Sequence, residues 1–152
     1  FRRVLFRSIL VDVDGTLADS YHREHFLETK PKNWNAYYNL ALEDKPFDDI
    51  VWLVKLLKDC GNTILIVTAR SEDRREITEK WLNEKAGLSG IYDKIYMREM
   101  YDYRDDDVCK KDILDIIRKD GYDPYLVLDD RKMVVDMWRN EGLTCLQVRD
   151  GV

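Results

Sequence analysis

The amino-acid sequence predicts a three-layer α/β domain, a doubly wound parallel sheet with helices on both faces. Short runs that are apolar on both faces alternate with amphipathic segments of helical period. Strands with no polar face belong to parallel sheets covered on both sides. Three of the helical segments stop at a glycine (Gly61, Gly121, Gly142), the residue preferred just past a helix end. A chain of 152 residues is also of a size to form one domain with its own core.

Taken in order, the first strand is expected over 9–13, where Ile, Leu and Val run into Asp12 and Asp14. Residues 1–8, "FRRVLFRS", carry three arginines, no apolar signal core and no initiator methionine. They are expected to be a non-native N-terminal scar resembling a translated sequencing adapter, although Val4, Leu5 and Phe6 can still pair as strand. The domain proper is expected over 9–152. Residues 19–45, "DSYHREHFLETKPKNWNAYYNLALEDK", break the alternation. They read as two short helices separated at Lys30-Pro31, a small helical cap or wall over the strand end. A helix follows over 46–59 with Pro46 in its first turn, then a strand over 63–68. Ser71 is the expected N-cap of a helix over 72–85, with Glu72 and Asp73 favouring its positive end. The remaining elements are strands over 94–97, 125–128 and 144–148 and helices over 107–120 and 132–141. No internal repeat or low-complexity segment is present.

Composition narrows the function. The formal net charge of −5 argues against a protein that lives on nucleic-acid phosphates or an anionic membrane, but not against one that grips a single phosphate. No apolar run reaches the ~20 residues of a membrane span. Three cysteines without C-x-x-C spacing point to reduced thiols and a cytoplasmic setting, not to a disulfide framework or zinc site.

The stretch "ILVDVDGTL" poses the chemical question, because an apolar strand ends in two carboxylates. Asp12-Val13-Asp14-Gly15 alone is compatible with an ordinary solvated turn or with a cation site. The other strand ends bear on the choice, since ligands of an open parallel sheet gather at the carboxyl ends of its strands. The second strand runs into Thr68-Ala69-Arg70 and the fourth into Asp129-Asp130-Arg131, and Lys110 and Lys111 start the helix after the third. Four carboxylates on one rim call for a divalent cation, and hard oxygen donors describe Mg²⁺. Metal with Thr and Lys describes phosphate. One carboxylate can then attack phosphorus, and a second, two residues on, can move protons.

In this order the motifs resemble the haloacid dehalogenase superfamily of phosphotransferases over essentially all of 9–148. The resemblance implies Asp12 as nucleophile, Asp14 as general acid/base, Thr68 on phosphate and Lys110 stabilising charge. Asp12, Asp14, Asp129 and Asp130 are the implied Mg²⁺ ligands. "YMREMYDYRDDDVCKKDIL" and "VLDDRKMVVDMWRNEGLTCLQV" resemble, more closely, the phosphatase domain of polynucleotide kinase–phosphatases. That family's substrate is a 3′-phosphate on a polynucleotide or nucleotide. It implies substrate contacts for Gly15, Thr16, Ala69, Arg70, Arg104 and Arg131. No G-x-x-x-x-G-K-[ST] kinase loop occurs in the sequence.

Plainer readings stand beside these. Either Lys110 or Lys111 can be a solvated helix lysine, with the motif register favouring Lys110. Asp105, Asp106 and Asp107 read first as an acidic helix start, and His22 and His25 as packing or substrate-touching residues. Trp34, Tyr37 and Tyr38 have the spacing of a packing stripe, with base stacking the alternative. Met137 and Trp138 read as core, and Cys109 as structural. The expected function is a Mg²⁺-dependent phosphomonoesterase for 3′-phosphate ends or nucleotides, with no membrane partner and no stable grip on long nucleic acid. The alternatives are a general small-molecule or 5′-nucleotide phosphatase and, more remotely, a non-catalytic binding module. A receiver domain uses the same residue types, but carries its acidic pair on the first strand, its phosphoacceptor aspartate on the third and its lysine on the fifth, whereas here the lysine precedes the last acidic pair.

Overall fold

The computed structural model describes residues 6–151. In chain order these form β1 (Phe6–Val11), β2 (Ala18–Asp19), a 3₁₀ helix (Tyr21–Leu27), α1 (Trp34–Asn39), a 3₁₀ turn (Ala41–Glu43) and β3 (Lys45–Pro46). Then come α2 (Asp48–Asp59), β4 (Thr63–Ser71), α3 (Arg75–Lys80), β5 (Lys94–Arg98), α4 (Asp106–Lys119), β6 (Tyr122–Arg131), α5 (Lys132–Asn140) and β7 (Thr144–Gly151). Val4 and Leu5, raised above as possible strand, lie outside the described residues.

Five parallel strands form one sheet in the order β5-β4-β1-β6-β7. β1 is therefore central, and the chain builds outward from it on one side before crossing to the other. That reversal beside β1 is where an open α/β sheet offers a crevice for ligands. Alternate residues of the strands feed two cores. Ile9, Val11, Ile64 and Ile66 pack with α2 and with Trp81 and Leu82 after α3. Leu10, Leu65, Val67 and Val127 pack with Ile113, Leu114 and Ile117 of α4 and with Val134, Val135 and Trp138 of α5. Gly61, Gly121 and Gly142 each follow a helix C-cap in the left-handed conformation, as expected of C′ glycines.

Three local expectations are corrected. Pro46 is not in the first turn of α2; it pairs with Ala18 across the β2–β3 ribbon that closes the insert, and α2 starts at Asp48. Ser71 occupies the N-cap position but gives its hydroxyl to the Asp73 carboxylate and makes no capping bond to backbone. The helix expected over 72–85 is a 3₁₀ turn, then α3, then a π turn at Trp81–Lys85. The insert has its two short helices on either side of Lys30-Pro31 as expected, the first 3₁₀ and the second α, followed by a further 3₁₀ turn. Among the described residues no helix is long and apolar enough to cross a membrane.

Candidate active site

β1 stops at Val11, yet the Asp12 amide still donates to Leu128 O at 3.0 Å, so Asp12 remains seated in the sheet. The chain then turns tightly: the Thr16, Leu17 and Ala18 amides all donate to Val13 O, and Gly15 takes φ +83°. That conformation suits glycine. The turn brings the Thr16 hydroxyl back to Asp12 Oδ2 at 3.1 Å.

The other oxygen, Asp12 Oδ1, accepts from Lys110 Nζ at 2.8 Å, and the same ammonium donates to Asp129 Oδ2 at 2.8 Å. Lys110 is only 3% exposed. Lys111 points outward to Glu141, so of the two lysines it is Lys110 that lies beside Asp12 and Asp129. The Trp138 indole also donates to Asp129 Oδ2, at 3.2 Å, so a residue read only as core also holds a site carboxylate. Asp130 is confined differently. A Cβ placed on Gly15 or on Gly151 would overlap its Oδ2, so two bare stretches of backbone close on this carboxylate.

Oxygens of Asp12, Asp129 and Asp130 lie within 4.8 Å of one another, all three residues buried. One lysine cannot neutralise three carboxylates. Burial lifts Asp12 well above the usual carboxylate range and, with Asp129 and Asp130 repelling it, outweighs Lys110. Asp130 is pushed up to about 6 by burial and by Asp129. Three hard oxygen donors converging with excess negative charge fit Mg²⁺. Asp14, expected as a fourth ligand, stands apart from this group.

Both Asp14 oxygens are taken by arginines. Arg70 donates from Nε at 2.9 Å and from Nη2 at 2.6 Å, and Arg23 from Nη2 at 2.6 Å. Burial alone would raise Asp14, but Arg70 and Arg23 hold it well below the usual carboxylate range. Arg23 is itself fully buried, gripped bidentately by Asp44 at 2.8 and 2.6 Å and laid on the Tyr37 ring at 4.0 Å. Asp44 also forms an ion pair with Arg70 at 3.7 Å and meets the His22 ring at 2.7 Å, and its carbonyl takes the Trp81 indole.

The other expected positions divide. Thr68 and Ala69 line the cleft over the site; the Thr68 hydroxyl accepts from the Arg70 amide, and Ala69 O takes Arg98 Nε. Arg131 lines it too, paired with Asp106. Arg104 lies on the rim but is bound to Asp102 and Asp112 at 2.7 Å each, which ties up the guanidinium expected to meet substrate. His25 packs on Phe26. Burial pushes the Cys109 thiol up to about 11, as for a structural cysteine. The cleft measures about 880 Å³.

Arg23, Asp44, Arg98 and the bond from Trp138 were missed in the sequence. Arg23 and Asp44 stand 21 positions apart at the two ends of an irregular insert, and no period links them. A tryptophan nine residues after Asp129 was a usable clue, since that spacing reaches the second turn of the following helix.

Burial of Asp130 has a consequence for stability. An acid with a raised folded pKa keeps its proton longer when folded, so the metal-free protein loses stability as pH climbs from about 4 to about 6. At about 1.4 kcal/mol per pKa unit the share of Asp130 is at most ~3 kcal/mol. Thermal melts in chelator should fall over this window, and the gain from added Mg²⁺ should grow with pH. A metal-free Tm that rises steadily to pH 7 would contradict the assignment.

The family model for the polynucleotide kinase PNKP phosphatase domain matches residues 6–152. The "Putative bifunctional polynucleotide kinase/RNA ligase" of Autographa californica nuclear polyhedrosis virus is 26% identical over 135 residues, 88% of this chain and 18% of that protein. A chain of the Pnkp1/Rnl/Hen1 RNA repair complex superposes with TM-score 0.80 at 31% identity, over 97% of this chain and 43% of that one. The sequence thus spans less than half the length of these two relatives. The haloacid dehalogenase-like hydrolase SP0104 of Streptococcus pneumoniae shares the fold, with TM-score 0.65 at 16% identity over 93% of this chain and 83% of that one.

Proposed function

Because this chain belongs to the family of polynucleotide kinase phosphatase domains, and so to the haloacid dehalogenase-type phosphoric monoester hydrolases, we propose that it removes 3′-phosphates from polynucleotide ends or nucleotides through a phosphoryl-aspartate. The observation that carries this reading is the buried Lys110 ammonium, bonded at 2.8 Å to both Asp12 and Asp129. It joins the proposed nucleophile to the proposed metal ligands in one site.

In the first step an Asp12 oxygen bonds to phosphorus as the bond to the 3′-oxygen breaks, and Asp14 gives that oxygen a proton. In the second, Asp14 takes a proton from water, whose oxygen attacks phosphorus, releasing phosphate and restoring the Asp12 carboxylate. Lys110, Thr68, Thr16 and the backbone at Gly15 and Ala69 are the proposed partners of the non-bridging oxygens. Mg²⁺ held by Asp12, Asp129 and Asp130 would supply further positive charge to the phosphoryl group. Arg23 and Arg70 set a condition on Asp14. While both bond it, Asp14 stays an anion, so the acid step follows when an arginine exchanges Asp14 for the incoming phosphate.

The names of the viral relative and of the repair complex favour RNA ends as the substrate. A panel of 3′-phosphorylated RNA and DNA oligonucleotides, 3′- and 5′-mononucleotides and sugar phosphates tests the reading. With a net charge of −5 the protein has little to hold a long polyanion, so kcat/KM is expected to rise from a 3′-mononucleotide to a trinucleotide and then level off, with shallow salt dependence. Preference for 5′-phosphates or sugar phosphates over every 3′-phosphate would reduce the function to a small-molecule phosphatase.

A further inference from the structure

The cleft has two walls. One is the insert, where Trp34 stacks on Tyr38 at 6.0 Å between ring centres. The other is the loop between β5 and α4, whose residues Met100, Tyr101 and Tyr103 also line the cleft. Tyr101 is 77% exposed and Tyr103 86% exposed. Tyrosines this open, two apart at the mouth of a catalytic cleft, do nothing for the core.

The loop that carries them is firmly built. The Arg98 guanidinium donates to Ala69 O at 2.9 Å, Asp102 O at 2.9 Å and Arg104 O at 2.6 Å, and it pairs with Asp106. Tyr101 takes φ +64°, a conformation uncommon for a bulky side chain. Such outliers cluster where a ligand is held. On this side of the cleft the cations are already engaged: Arg104 by Asp102 and Asp112, Arg131 and Arg98 by Asp106, and Arg74 by Asn35 and Asp73, while Lys32 lies on the insert wall over the Trp34 ring at 5.7 Å. What this wall presents is therefore π surface and not charge for a sugar–phosphate chain. Flat, neutral nucleobases match π surface, and stacking tolerates any base.

We propose that Tyr101 and Tyr103, facing the insert wall at Trp34, form a nucleobase platform for the unpaired nucleotides that precede the 3′-phosphate. This rests on the 3′-phosphatase reading above. The platform makes the enzyme one for single-stranded ends, because a base in a duplex stack is not available to these rings.

The test compares wild type, the double variant Tyr101→Ala/Tyr103→Ala and the double variant Tyr101→Phe/Tyr103→Phe. Substrates are a 3′-phosphorylated trinucleotide, the same trinucleotide made abasic at the two positions 5′ of its terminal nucleotide, and a small aryl phosphate. The alanine variant is expected to lose about tenfold or more in kcat/KM on the intact trinucleotide relative to its change on aryl phosphate. The phenylalanine variant should regain most of that loss. On the abasic substrate wild type and alanine variant should converge. Equal losses on all three substrates, or a trinucleotide rate unaffected by the alanines while wild type still prefers 3′-phosphates, would overturn the platform alone. A wild type without 3′-phosphate preference would overturn the platform together with the reading beneath it.

Discussion

Replacing Asp12 with asparagine is expected to reduce turnover by about 10³-fold or more while the domain stays folded. The amide offers no carboxylate oxygen to bond to phosphorus, and no other acid in the site is placed to substitute. Asp129 is held by Lys110 and Trp138, Asp14 by Arg23 and Arg70, and Asp130 by backbone on two sides. Stability should move the other way. Burial already pushes Asp12 toward its neutral form, so an isosteric neutral group relieves repulsion from Asp129 and Asp130, and Lys110 keeps Asp129 as a partner. In chelator the variant should melt at or above the wild-type temperature. Retention of a tenth of wild-type turnover by a cleanly folded variant would rule out the phosphoryl-aspartate.

The second large effect lies outside the reacting atoms. Asp44 is 2% exposed and receives two bonds from the buried Arg23 as well as contacts from Arg70 and His22. Removing one partner of a buried ion pair strands the other, at a cost of about 3–5 kcal/mol. Asp44→Ala is therefore expected to lower Tm by roughly 10 °C, taking about 2–4 °C per kcal/mol for a domain of this size. Asp44→Asn keeps the volume and one acceptor and should fall in between. Activity is expected to drop as well, because Arg23 is then free to turn wholly onto Asp14. A Tm within about 3 °C of wild type for the alanine variant would mean that the arginines are stabilised by something other than this carboxylate.

Much of this was legible in the sequence because it is local. Strands apolar on both faces, helices of regular period and C′ glycines depend on neighbouring residues, and the five sheet strands and three of the four helices around them lie close to where the pattern put them, the segment over 72–85 being the irregular one. The rim residues were legible for the same reason, since strand ends fix where Asp12, Thr68 and Asp129 must gather. What stayed hidden is the layer behind the rim. Arg23 and Asp44 meet only because the β2–β3 ribbon draws the ends of the insert together. The pairing of Arg104 with Asp112 stayed hidden because the sequence does not show that α4 brings Asp112 back to it. Pro46 looked like a helix start because its ribbon partner, Ala18, is 28 positions away.

The confinement of Asp130 between Gly15 and Gly151 bears on how the site meets a cation. A carboxylate on a free side chain must give up its rotational freedom when it takes a ligand, and that lost entropy weakens binding. Here the rotor is frozen during folding, so the loss falls on the stability of the domain and not on the affinity for the ion. The same enclosure acts as a ruler. It is cut for a side chain one methylene long, and glutamate at 130 would carry the right charge into a space with no room for it.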